Sequence, residues 1–132
     1  DSPYNNEVGE NGVPKHVGVA RLTYGRDDWS VTWTASYFDS TNDYEYYGSE
    51  TNTTTLNGET VTFIDETKWT TYHALSGSFV YDDFDFTVGV ANMFDQEPPR
   101  LSRSGFELGN SALYSQYDFI GRRVFANVKY NF

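Results

Sequence analysis

The chain has 132 residues, a formal net charge of −10, no cysteine and 18% aromatic residues against 21% charged ones. That length holds one domain, and no run approaches the roughly 20 apolar residues of a membrane-spanning helix. Excess Asp and Glu argue against a nucleic-acid partner, whose phosphates draw affinity from clustered cations, and zero cysteine excludes a disulfide framework and thiolate metal sites.

The aromatic content is too rich for a disordered chain, so something here packs. The chain opens at Asp1 in a polar stretch, which predicts a mature or clipped piece of something longer. In chain order, Lys15 to Tyr24 reads as a strand whose faces are poorly sorted, because Arg21 and Thr23 fall with Val17 and Val19. Trp29 to Tyr37 comes next, with apolar or aromatic residues at odd positions and small hydroxyls at even ones. Trp69 to Tyr81 sets Leu75, Gly77, Phe79 and Tyr81 against Ala74, Ser76, Ser78 and Val80. Phe84 to Val90 and Val124 to Phe132 repeat the alternation, with Phe125 the exception on a polar face. No segment sustains helical spacing, so the prediction is all-β, with about five meandering antiparallel strands.

Gly25-Arg26-Asp27-Asp28 and Asp82-Asp83 read as tight turns, whereas Asp39 to Thr67 and Asp95 to Gln116 read as long polar loops. A meander of this kind places its short turns at one end and its long loops at the other.

Two readings put the apolar faces against different solvents. A soluble sandwich or small barrel turns them inward, whereas a transmembrane β-barrel turns them to lipid and its polar faces to a hydrated or plugged lumen. Trp29 and Tyr37 near opposite ends of one face, with Tyr130 and Phe132 ending the last strand, match aromatic girdles at two water interfaces. A tilted strand of about 10 residues spans roughly 24 Å, near the apolar band of about 25 Å.

Val88-Gly89-Val90-Ala91-Asn92-Met93-Phe94-Asp95-Gln96-Glu97-Pro98-Pro99, then Tyr117-Asp118-Phe119-Ile120-Gly121-Arg122-Arg123 and terminal Phe132, resembles the carboxyl end of TonB-dependent outer-membrane receptors. Met93 stands where that family usually has Leu, a volume-conserving exchange. Gly12-Val13-Pro14-Lys15-His16 resembles the family's approach to a strand, and Trp69 to Tyr81 its third-from-last strand, so the likeness covers nearly the whole chain.

The resemblance implies that residues 1–132 are the carboxyl-terminal part of one transmembrane barrel domain of about 22 strands. The implied role is TonB-dependent uptake of a scarce ligand, a siderophore, cobalamin, haem or oligosaccharide, in the bacterial outer membrane. The implied partners are outer-membrane lipid, the remaining barrel strands and plug, the TonB complex through regions outside this chain, and the outer-membrane assembly machinery. That machinery would read the terminal strand at Phe132. Asn92, Phe94, Asp95, Gly121, Arg122 and Phe132 are the positions that carry the family pattern.

Other positions weigh functional against ordinary roles. Tyr44, Tyr46 and Tyr47 sit in an acidic stretch holding Asp39, Asp43, Glu45, Glu50, Glu59, Asp65 and Glu66, where they either stack on a ligand ring or lie in a solvated loop. Arg100 and Arg103 either attract an anionic ligand or pair with loop carboxylates. Arg122 and Arg123 point to opposite faces, one snorkelling toward the interface or both solvated at a rim. His16 and His73 stand apart on separate strands, and Asp82, Asp83 and Asp85 lack calcium-loop spacing. Asn52-Thr53-Thr54 matches a glycosylation triplet of little weight. No catalytic constellation, metal site or cofactor is expected. The competing readings are a soluble carbohydrate-binding β-sandwich and a hydrolase on a β scaffold.

Overall fold

The computed structural model describes residues 7–42, 53–101 and 116–132. These residues form β1 (Val17–Arg26), β2 (Trp29–Phe38), β3 (Thr41–Asn42), β4 (Thr53–Leu56), β5 (Glu59–Thr62), β6 (Glu66–Thr67), β7 (Thr70–Tyr81), β8 (Phe84–Ala91) and β9 (Arg123–Tyr130). The fold is all-β, with a five-stranded sheet ordered β1-β2-β7-β8-β9 and two separate ladders, β3-β6 and β4-β5. The five long strands fall where period two places them, within a few residues at each end.

The chain divides into two compact units. One gathers Gly18–Tyr37, Thr71–Glu97 and Asp118–Phe132, and so holds nearly all of the five-stranded sheet. Its register is set by paired apolar residues: Leu75 opposes Val90, Phe79 opposes Phe86 and Tyr81 opposes Phe84 across β7 and β8. Antiparallel pairing then sets Phe84 against Tyr130, Phe86 against Val128 and Val90 against Val124. A slip of one residue would turn each apolar set to the other face, so the pattern and the register enforce each other. Two Asp-Asp turns close the hairpins, with left-handed backbone at Asp27 (φ 50°) and Asp82 (φ 54°), a conformation that Asp tolerates better than most residues. Both turns lie at one end of the sheet: Val80 N–H donates to the Asp28 carbonyl (2.7 Å), and Asn131 N–H donates to that of Asp83 (2.9 Å).

Phe125, the exception to alternation, has a local cause. It pairs directly with Gly89, and its ring covers the space that a side chain on Gly89 would occupy. A Cβ there would also stand 2.9 Å from the Leu75 carbonyl oxygen. The aromatic ring thus fills the gap left by a strand glycine.

The other unit gathers Asp1–Val17, Phe38–Thr70 and Pro98–Tyr117. Here the expected loop from Asp39 to Thr67 is corrected, because it carries the β3–β6 bridge and the β4–β5 hairpin. Asn57 and Gly58 both have positive φ (53° and 87°), as the two central residues of a type I′ turn require. Asn-Gly within a run of β-branched residues was a legible hairpin signal.

Gly89→Ala should destabilise the β8–β9 pairing by about 1–3 kcal/mol, the usual range for overpacking. Denaturant midpoints should show part of that cost relieved when Phe125→Ala is added. An unchanged midpoint in Gly89→Ala would remove the role assigned to the ring.

Candidate functional site

The feature of the sheet that calls for explanation is its apolar face. Leu75, Phe79, Tyr81, Phe84, Val88, Val124, Val128 and Tyr130 share it by register, and all are exposed. Trp33 stacks on His73 (5.6 Å between centroids), which lies on the Leu75 side of β7, so Trp29, Val31 and Tyr37 of β2 join the same face. These too are exposed. Among described residues the buried apolar side chains are only Ala35, Leu101 and Tyr117. Each Val, Phe or Leu left in water forgoes about 1.5–3 kcal/mol of burial, so this face needs an apolar medium or partner.

Exposure at the sheet centre is the most informative: Val88 keeps 54% and Val128 59% of its surface, while Trp33 is half-buried through its neighbours. Toward the short-turn end the face becomes aromatic. Tyr24 meets Trp29 edge-on at 5.7 Å, Phe79 stacks on Phe86 at 4.7 Å, and Phe84, Tyr130 and Phe132 continue at 4.9 Å steps.

The opposite face is polar. Thr23 and Thr32 join through their hydroxyls at 2.9 Å, Ser78 and Thr87 at 3.1 Å, and Lys129 stands 3.9 Å from Asp85. An open depression of about 320 Å³ near the turns is lined in part by Asp28, Ser30, Ser78, Asp85 and Thr87. Cross-strand hydroxyl pairs of this kind satisfy one another without an apolar covering.

The residues that carry the resemblance meet in a corner between β8 and β9. Asn92 is buried, holds left-handed backbone (φ 47°), and brackets Gln96 by accepting from its N–H (2.8 Å) and donating to its carbonyl (3.0 Å). Met93 N–H donates to the His73 carbonyl (2.8 Å), and Phe94 lays its ring edge-on to His73 at 5.2 Å. The carboxylate of Asp95 accepts from Arg122 N–H at 2.8 Å. Gly121 makes that approach possible: its φ is +81°, and a Cβ would lie 2.8 Å from the Asp95 oxygen.

Asp118 completes the corner by accepting from Arg123 Nη1 (2.7 Å) and from the N–H groups of Ile120 (3.0 Å) and Gly121 (3.3 Å). The Arg123 hydrogen bond is the main reason that the Asp118 carboxyl titrates below its ordinary value of 3.8; desolvation opposes the shift and the two amides add to it. Arg122 is exposed just ahead of β9, while Arg123 is the cation held in the corner.

The second unit carries a polar network of its own. Thr41 and Thr67 are fully buried and joined through their hydroxyls at 2.8 Å, and Thr67 Oγ1 also accepts from Thr41 N–H at 3.0 Å. Thr41 Oγ1 donates to Asn11 Oδ1 (2.7 Å), and Tyr117 OH donates to Thr67 Oγ1 (3.4 Å). His16, expected to stand alone, lies 2.8 Å from Asp39 through Nδ1. Nothing in local sequence pairs residues 23 apart, so this dyad was not legible.

Asn92, Phe94, Asp95, Gly121 and Arg122 are thus brought together, while Phe132 lies fully exposed beyond β9. Tyr44, Tyr46, Tyr47, Arg103, Asp43, Glu45, Glu50 and Asn52 lie outside the described residues. Arg100 and Glu59 are exposed, but Asp65 is buried, so the acidic stretch is not wholly a solvated surface. Among described residues no cluster of His, Cys, Asp and Glu could hold a metal ion. A scan of protein-family models and searches of the curated proteins and of the solved structures return no match to this chain.

Asn92→Ala should cost about 1–3 kcal/mol, because it strips buried partners from the Gln96 backbone; thermal or denaturant unfolding measures it. On acidification the unfolded chain takes up the Asp118 proton first. The stabilisation from the Asp118–Arg123 pair is therefore complete above about pH 3.8 and is lost as pH falls through the lower folded value. Amide exchange at Gly121 and Arg122 should accelerate over that acid window, and Asp118→Asn should abolish the pH dependence.

Proposed function

We propose that this chain is the carboxyl-terminal segment of a transmembrane β-barrel of the TonB-dependent receptor kind. Its role is outer-membrane uptake of a scarce ligand such as a siderophore, cobalamin, haem or oligosaccharide. The observation that carries the reading is the uncovered apolar face, continuous across β2, β7, β8 and β9 and backed by a hydroxylated face. Hydrocarbon satisfies the first face and a hydrated lumen the second.

The sheet order supports a segment of something larger. β1 and β9 are the outer strands of the five-stranded sheet, and each has one neighbour. In lipid their free N–H and C=O groups would each cost several kcal/mol, so further strands of a barrel of about 22 are required to pair them. The corner formed by Asn92, Asp95, Asp118, Gly121 and Arg123 has a clear task in that setting. It ties the loop after β8 to the approach of β9 and so aligns the final strand for pairing. Phe132, exposed beyond that strand, is the residue offered to the assembly machinery by strand addition with side-chain pockets. Ligand capture falls to the outer loops, and energy reaches the transporter through a plug and TonB contacts carried elsewhere in the polypeptide.

A soluble carbohydrate-binding sandwich would need a second sheet over the apolar face. The remaining ladders among the described residues are pairs of two- and four-residue strands.

Val88→Arg, at the centre of the apolar face, should lower stability in vesicles by about 2–4 kcal/mol, the cost of a cation near the bilayer midplane. Thr87→Arg, on the opposite face, should leave it nearly unchanged. Equal effects of the two, or a chain that remains folded and monomeric in water without detergent, would sink the membrane reading. Phe132→Ala should reduce the yield of folded barrel in cells, and undiminished yield would remove the recognition role from that residue.

A further inference from the structure

The two short turns of the sheet carry more charge than turn geometry demands. Both are Asp-Asp, at Asp27-Asp28 and Asp82-Asp83, and all four side chains are exposed. Left-handed backbone at Asp27 and Asp82 would be met as well by uncharged Asn or Gly, and adjacent carboxylates repel. Asp85 lies close behind, at the start of β8. The cations on this rim are Arg26, 3.4 Å from Asp27, and Lys129, 3.9 Å from Asp85. Five carboxylates thus face two cations, a net charge of −3. Backbone bonds from Val80 to Asp28 and from Asn131 to Asp83 gather both turns and the end of β9 at this one edge.

The same edge bears the exposed rings of Trp29, Tyr81, Phe84 and Tyr130 within two residues of the acidic turns or opposite them in register. Trp and Tyr rings on an otherwise apolar face settle at headgroup depth, which sets the adjoining carboxylates against the headgroups themselves, inside a Debye length of the lipid phosphates.

We propose that this edge is built to sit against zwitterionic lipid bearing primary ammonium headgroups, the phosphatidylethanolamine class, and is repelled by anionic lipid. The inference rests on the membrane reading above and names the lipid chemistry of its short-turn side. An anionic leaflet attracts cationic segments, and the same potential opposes a rim of net charge −3. An ethanolamine ammonium offers three N–H donors for charge-assisted bonds to the Asp carboxylates, whereas a quaternary choline offers none.

The test uses the full chain and three vesicle types in low salt with chelator: phosphatidylcholine alone, phosphatidylcholine with phosphatidylethanolamine, and phosphatidylcholine with phosphatidylglycerol. Co-sedimentation and the blue shift of tryptophan emission report association. The ethanolamine vesicles should bind the chain several-fold more tightly than phosphatidylcholine alone, and the phosphatidylglycerol vesicles about tenfold less tightly, the latter difference fading as salt screens it. A variant carrying Asp27→Asn, Asp28→Asn, Asp82→Asn and Asp83→Asn keeps side chains that accept left-handed backbone and should lose both preferences. Equal association with ethanolamine and choline lipid, or tightest association with phosphatidylglycerol, overturns the lipid assignment and leaves the membrane reading standing. Association with none of the three overturns the membrane reading itself.

Discussion

The structure depends on one constraint: antiparallel register that sorts period-two side chains into an apolar face and a hydroxylated one. Pairs such as Phe79 with Phe86 and Phe84 with Tyr130 lock the apolar set in place, and Ser78 with Thr87 does the same on the polar side. Because both sets are consistent with one register only, the sheet order β1-β2-β7-β8-β9 tracks the chain without a crossover. What the sheet does not do is cover its own apolar face, and the functional reading grows from that surplus.

The corner between β8 and β9 shows how a local cluster serves that sheet. Asn92 and Asp95 adopt left-handed backbone, which positions one side chain to bracket Gln96 and the other to receive Arg122. Gly121 is required by geometry rather than by flexibility, since any side chain would strike Asp95. Asp118 then holds Arg123 at the first residue of β9, so strand position and charge pairing are decided together. The residues that carried the family likeness are therefore a structural joint. Their chemistry is hydrogen bonding to backbone, with no reactive group among them.

The second unit is stabilised differently. Its buried residues include Thr41, Thr67, Thr70 and Asp65, and the hydroxyl network through Asn11 and Tyr117 satisfies Thr41 and Thr67 where an apolar core would otherwise be expected. Buried hydroxyls that pair with one another cost little, whereas removing one member strands its partner. Leu101 and the Phe38–Tyr117 ring contact at 6.1 Å supply the apolar part of that unit.

By itself the sequence determined the all-β class, the five long strands, the face on which each alternating residue falls and the two short turns, because these depend on near-neighbour periodicity and turn chemistry. Asn57-Gly58 was equally legible as a hairpin turn, although the surrounding polar composition masked it as loop. Only the tertiary structure decided that His16 meets Asp39, that Trp33, His73 and Phe94 stack, and that Asp95 reaches Arg122. Those contacts join residues far apart in the chain, and no local pattern encodes which distant side chain a carboxylate or ring will meet. Exposure of Val88 and Val128 belongs to the same class, since alternation places a residue on a face while only the assembled sheet decides whether anything covers it.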